Sequence, residues 1–180
     1  MPYVMKSLLG EDEALIDLGS HWDTNFFRGR PFGPGFPVPV RFEIDVDSEG
    51  RRMPTLFTTP AFVTRKAFYE LLAGAGADNL ESYPALIRDP ESGETFEDYC
   101  LVNIVGQIAC ADLGAKPGVE LGPGIRVIDE PVLRKQALRD AMIFRLAEDP
   151  IQIIVSDALA ARIRAAGLQD VYLEALELTG

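Results

Sequence analysis

Apolar and polar positions alternate most legibly over residues 141–168, AMIFRLAEDPIQIIVSDALAARIRAAGL. Two short apolar runs, Met142 to Leu146 and Ile151 to Val155, flank a polar turn, Glu148-Asp149-Pro150. Runs of this length, rich in Ile, Phe and Val, predict two strands joined as a hairpin. Ser156 is placed to cap the following helix, because its hydroxyl can accept a hydrogen bond from an orphan N–H of the first turn. Asp157 suits the positive end of the helix dipole. Leu159, Ile163 and Ala166 carry the helix to Gly167, which stops it.

The same reading extends along the chain. Tyr3 to Leu9 predicts a first strand, and Glu11 to Leu18 a short acidic segment, helical or irregular. Arg28 to Pro39 holds three glycines and four prolines and reads as a surface loop. Phe42 to Asp47 alternates with period two, which predicts a strand with Phe42, Ile44 and Val46 inward and Glu43, Asp45 and Asp47 outward. Ser48-Glu49-Gly50 then turns the chain. Thr64 is an N-cap candidate for a helix that includes Phe68, Leu71 and Leu72 and ends at Gly74 and Gly76. Asn79 to Ile87 leads into a turn at Asp89-Pro90-Glu91-Ser92-Gly93, Tyr99 to Ile104 predicts a buried strand, and Gly114 to Gly124 a Gly/Pro-rich surface loop. Residues 125–140 fit a helix or irregular pairing, interrupted by Pro131. Val63-Thr64 before Phe68 to Leu71 echoes Val155-Ser156 before Leu159 to Ile163. One echo is two uses of a capping solution, since a repeat architecture needs about three units.

The fold class expected is α+β, a mixed, mostly antiparallel sheet with a few helices packed on it. With 180 residues, 47% of them hydrophobic, a single domain over 1–180 is expected to hold a substantial core. The formal net charge is −11. Residues 1–90 carry 9 basic and 13 acidic residues and residues 91–180 carry 8 and 15, so the acidity is spread rather than held in a tail. That disfavours nucleic acid and anionic membrane surfaces as partners. It suits a basic protein partner steered by opposite charge, and it equally serves solubility. Cys100 and Cys110 form no CxxC pair and have no histidine cluster nearby, which argues for buried free thiols rather than zinc. The first residues, MPYVMKSLLGEDEA, lack the apolar core and cleavage site of a secretory signal, and Tyr99 to Ala111 is too short to span a bilayer. A cytoplasmic protein is the expectation.

The search for chemistry is mostly negative. His21, beside Trp22 and Asp23, is the sole histidine, and no serine sits in a GxSxG elbow. Gly29 to Gly35 lacks GxxxxGK[ST], and its prolines remove the N–H donors a phosphate cradle needs. Glu43, Asp45 and Asp47 would stand about 7 Å apart on one strand face, spacing that can flank a glycosidic bond or hold a metal. Such a row is more often a solvated face or an edge guarded by charge. Glu11-Asp12-Glu13 with Asp17 forms a second acidic cluster. No catalytic residue, cofactor or metal site emerges.

Several segments stand in a telling order: the helix at Thr64, then Asn79-Leu80-Glu81-Ser82-Tyr83-Pro84, then Tyr99-Cys100-Leu101-Val102-Asn103-Ile104. Ile143-Phe144-Arg145-Leu146 follows, then Ile153-Ile154-Val155-Ser156 with its helix and Gly167, then Val171-Tyr172-Leu173-Glu174. In that order they resemble the immunity-protein-11 family of bacterial polymorphic-toxin systems, and the resemblance implies a short strand over 171–174 after the helix. The likeness is strongest over 63–180, with the N-terminal strands and Gly/Pro loop of 1–62 less similar. It departs at Leu168-Gln169-Asp170, where the family has a Thr-Gly or similar turn, and it is loose over Pro117 to Arg139.

The resemblance implies a non-enzymatic cytoplasmic protein that binds and neutralises a cognate toxin domain, in competition between bacteria. A basic nuclease, encoded by a neighbouring gene, would suit the −11 charge. Contacts are then expected from exposed acidic residues, Glu43, Asp45, Asp47 and Glu49 first, and Glu11, Asp12 and Glu13 second. The alternative is a small-ligand or regulatory binding module, with an apolar pocket and few polar groups. A third reading, a hydrolase with an acidic site, lacks its base and metal constellation.

Overall fold

The computed structural model describes residues 1–7, 12–18, 26–122 and 125–180. The chain opens with β1 (Tyr3–Ser7), β2 (Ile16–Asp17) and β3 (Val40–Ile44). Next come β4 (Leu56–Phe57), β5 (Val63–Arg65) and helix α1 (Lys66–Gly74), then the long hairpin of β6 (Leu80–Arg88) and β7 (Thr95–Ile104). β8 (Gln107–Ile108), β9 (Val119–Gly122), β10 (Ile125–Val127) and β11 (Leu133–Arg134) are short, and a 3-10 turn follows at Lys135–Ala137. β12 (Ile143–Leu146), β13 (Ile153–Val155), helix α2 (Asp157–Ala165), β14 (Val171–Ala175) and β15 (Leu178–Thr179) complete the order.

The fold is α+β, as expected, with most strands in two large mixed sheets and the rest in two two-stranded pairs, β9–β10 and β11–β15. One large sheet has the order β14-β1-β13-β12-β8, the other β2-β3-β6-β7-β5-β4. Pairings are antiparallel except β3 with β6, β8 with β12, and β11 with β15.

Side-chain alternation along the strands builds three apolar layers. In β7, Cys100, Val102 and Ile104 face one way and Tyr99 and Leu101 the other. In β13, Ile153 and Val155 face the same layer as Cys100, while Ile154 faces away. The central layer therefore joins both sheets and both helices: Met5, Phe62, Ile104, Ile143 and Val155 meet Phe68, Leu72, Leu159 and Ile163. Each buried Leu, Ile or Phe in it contributes about 1.5–3 kcal/mol. β7 is covered on both faces over Tyr99 to Ile104, which explains why that stretch reads as a mostly apolar run, broken only by Asn103, rather than an alternating one.

Polar side chains tie the sheets together. Asn79 Nδ2 donates to Val105 O at the exit of β7 and to Ile143 O at the start of β12, both at 2.9 Å. The Thr55 N–H donates to Asp170 Oδ2 at 2.5 Å, which gives the Leu168-Gln169-Asp170 turn a structural role. The Gly/Pro loop is anchored by aromatic rings: Phe32 stacks on Phe36 with centroids 4.3 Å apart, and both meet Tyr83 of β6 at 5.1 Å.

The β12–β13 hairpin, the Ser156 cap and the strand over 171–174 are found as expected. Ser156 Oγ accepts from the Leu159 N–H at 3.3 Å. Other expectations are corrected. Thr64 is not a cap: it lies in β5, fully buried, with its hydroxyl on Arg65 O and 3.7 Å from Cys100 Sγ. The two echoed segments thus share a strand-to-helix step but not a cap. Of the two readings of the acidic segment, helical or irregular, residues 12–18 exclude the helix: Ala14, Ile16 and Leu18 bury with period two, and the short strand β2 pairs with β3. β3 stops at Ile44, and Val46 is exposed rather than inward. There Asp45 Oδ1 captures the Asp47 N–H at 2.9 Å and Asp45 O the Ser48 N–H at 3.0 Å, closing a turn. Residues 119–127 contain the antiparallel β9–β10 pair rather than only a loop.

Two outcomes check this packing. Ser156→Ala is expected to lower stability by about 1 kcal/mol, read from denaturant midpoints, whereas Thr64→Val should leave helical circular dichroism unchanged. Both thiols are free and buried, with Cys110 pushed up to about 12 by burial and Cys100 raised for the same reason. Iodoacetamide at pH 8 should spare both in the native protein and label both after unfolding, as counted by mass spectrometry.

Candidate functional site

The acidic segments that stand apart in sequence meet in space. Ser48, buried, holds them together: its Oγ accepts from the Leu15 N–H and donates to Gly50 O, both at 3.0 Å. Gly50 presses against the 12–13 backbone so closely that a Cβ there would stand 2.2 Å from Asp12 C. Arg52 Nε then donates to Asp12 Oδ2 at 3.0 Å and Arg52 Nη2 to Glu13 Oε1 at 2.5 Å. That hydrogen bond from Arg52 holds the Asp12 carboxyl below the usual carboxylate range.

A third acidic turn joins them from β6–β7. Arg51 Nη1 donates to Ser48 O at 2.7 Å while Arg51 Nη2 stands 3.0 Å from Glu91 Oε2. Asp89 shapes that turn, with Oδ1 accepting from the Glu91 N–H at 2.9 Å and Oδ2 from the Ser92 hydroxyl at 2.8 Å. The same bonds lower its pKa.

The residues expected to make contacts therefore divide. Glu43, Asp47 and Glu49 are exposed and hold no ion pair among the described residues. Asp45 is half-buried and spends Oδ1 on its own turn. Glu13 is buried rather than exposed, because Ser48 and Arg52 close over it. Asp12 is exposed but paired. Glu11 lies outside the described residues, as does the His21-Trp22-Asp23 triplet. Glu91 was not singled out in the sequence, since the parallel β3–β6 register that brings its turn alongside leaves no local signal.

A second feature is cationic, in a chain of net charge −11. A cleft of about 550 Å³ is lined by Phe27, Arg28, Arg30 and Gln107 on one side, by Leu121, Arg126 and Val127 of the β9–β10 pair, and by Asp149, Pro150 and Ile151 of the hairpin turn. The first wall is fixed: the Gly106 N–H donates to Gly29 O at 2.8 Å, Gln107 Nε2 to Phe27 O at 2.7 Å and Asn103 Nδ2 to Arg30 O at 2.9 Å. Gly29, at φ +61°, permits this approach, as a Cβ there would come within 3.1 Å of Gly106 C.

Behind the lining lies Arg145, fully buried on β12 beside Ile153 and Gln107. Its guanidinium lies 5.1 Å from the Phe27 ring centroid, and Nη1 donates to Pro150 O at 2.8 Å. Nε and Nη2 have no hydrogen-bond partner among the described residues. Burial lowers its pKa to about 10, so it is cationic at neutral pH, and it holds no ion pair among the described residues. Asp149 is buried too; Oδ2 accepts from the Ile128 N–H at 2.9 Å, while Oδ1 has no donor. The cue in the sequence was an arginine inside the apolar run Ile143 to Leu146.

Among the described residues, no group of three or more His, Cys, Asp or Glu is placed to hold a metal ion, and no helix is long and apolar enough to cross a membrane. Comparison with protein-family models and with curated proteins finds no match to this chain.

A buried, half-satisfied cation is retained at a cost to stability. Arg145→Met, which keeps the length and removes the charge, is expected to raise stability by about 1–4 kcal/mol, measured by denaturant unfolding. A large loss of stability would show that the single bond to Pro150 and the Phe27 contact outweigh the desolvation.

Proposed function

We propose that the protein binds and neutralises a cognate toxin domain, as its resemblance to the immunity-protein-11 family implies, and that it presents the acidic turns around Ser48 as its contact face. The observation that carries this reading is the joining of two acidic segments and the Glu91 turn into one braced surface, with Glu43, Asp47 and Glu49 exposed and without an ion pair among the described residues. A braced face loses little entropy on binding, and unpaired carboxylates steer a basic partner. A basic nuclease is the toxin class that best suits such a field, because it already attracts polyanions. Inhibition here is occlusion and uses no catalytic step. One observation favours the alternative reading, a small-ligand module: the cleft beside Arg145.

Charge reversal at the three unpaired positions, Glu43→Lys, Asp47→Lys and Glu49→Lys together, is expected to weaken toxin binding about tenfold or more at low salt, mostly through the association rate. The test is a binding titration against the neighbouring gene's toxin domain at two ionic strengths. Affinity that does not change would remove this face from the interaction.

A further inference from the structure

We propose that the cleft between residues 27–30, the β9–β10 pair and the hairpin turn binds a small organic anion with an apolar body. Three arginines line it and a fourth lies behind the lining. Arg28 and Arg30 are exposed and hold no ion pair among the described residues, and Arg126 is half-buried, 3.8 Å from Glu120. Arg145 stands behind Phe27 and Pro150, two of the lining residues. Asp149 is the one carboxylate of the lining, and its bonded oxygen serves Ile128.

Buried charges in folded proteins are paired, because desolvation is costly otherwise. Among the described residues Arg145 has no counterion, and water screens its field poorly at full burial. An anion in the cleft would supply that charge from the other side of Phe27 and Pro150, while Arg28 and Arg30 contact it from the rim. The apolar body follows from the rest of the lining. Leu121, Val127 and Ile151 are three of the large hydrophobic side chains the fold leaves exposed, at 68%, 37% and 42%, and all three lie on this cleft. The volume of about 550 Å³ suits a ligand of nucleotide or small aromatic-acid size. This site owes nothing to the toxin-binding face, and either can hold without the other.

The probes are a matched pair: 8-anilinonaphthalene-1-sulfonate, and N-phenyl-1-naphthylamine, the same ring system without the sulfonate. Fluorescence titration of the native protein is expected to show one sulfonate site, with the neutral probe about tenfold weaker or more. Arg28→Ala with Arg30→Ala should weaken the sulfonate about tenfold and leave the neutral probe unchanged. Arg145→Met should also weaken the sulfonate selectively. Because Arg28 and Arg30 are exposed, the rim variant decides the matter even if Arg145→Met does not fold. Equal binding of both probes, or a sulfonate affinity indifferent to the rim variant, would overturn the proposal.

Discussion

The structure depends on one shared apolar layer. Neither sheet has a covered inner face without the other, because Cys100, Val102 and Ile104 of one and Met5, Ile153 and Val155 of the other bury against the same two helices. α1 and α2 each follow directly on a strand, and each inserts an i, i+4 pair into that layer, Phe68 with Leu72 and Leu159 with Ile163. Asn79 closes the arrangement by spending both its N–H groups across the junction between the sheets. The outer faces are then free to differ. One carries the aromatic cluster of the Gly/Pro loop, the other the layer of Val4, Phe144 and Ile154.

This constraint sorts what was legible in the chain. The β12–β13 hairpin and α2 were readable because period, turn residues and cap all agree locally: Pro150 in the turn, Ser156 at the cap, and Gly167 at φ +67° beyond the end. Thr64 misled because a hydroxyl before an amphipathic helix looks the same whether it caps or packs. Tertiary pairing of β5 with β7 keeps residues 63–65 in the sheet and turns Thr64 inward on Cys100. Val46 misled for the opposite reason, since the period-two pattern continues past a turn that the Asp45 side chain imposes. That most strands form two large sheets was not legible at all, as strand order follows from contacts between segments distant in sequence.

The site was legible in part. Acidic runs at 11–13 and 43–49 are visible in the chain, but not that Ser48, Gly50, Arg51 and Arg52 would gather them, bury Glu13 and recruit Glu91. The arginine-lined cleft was invisible for a plainer reason. Arg28, Arg30, Arg126 and Arg145 come from a loop, a strand pair and a core strand, and the net charge of the chain points the other way. Net charge describes the mean field around the molecule, whereas recognition is set by which charges lack partners. By that measure the protein offers two surfaces of opposite sign. Among the described residues, carboxylates without an ion pair line its braced turns, and Arg28 and Arg30, likewise without one, stand at the rim of a cleft.

The most direct test of the account is to express the tagged protein with the product of its neighbouring gene and to purify it at low and at high salt, scoring survival of the host cells alongside. The account predicts a one-to-one complex that forms at low salt, weakens as salt screens the acidic turns, and protects the cells from the neighbour's toxicity. No complex and no protection would contradict it.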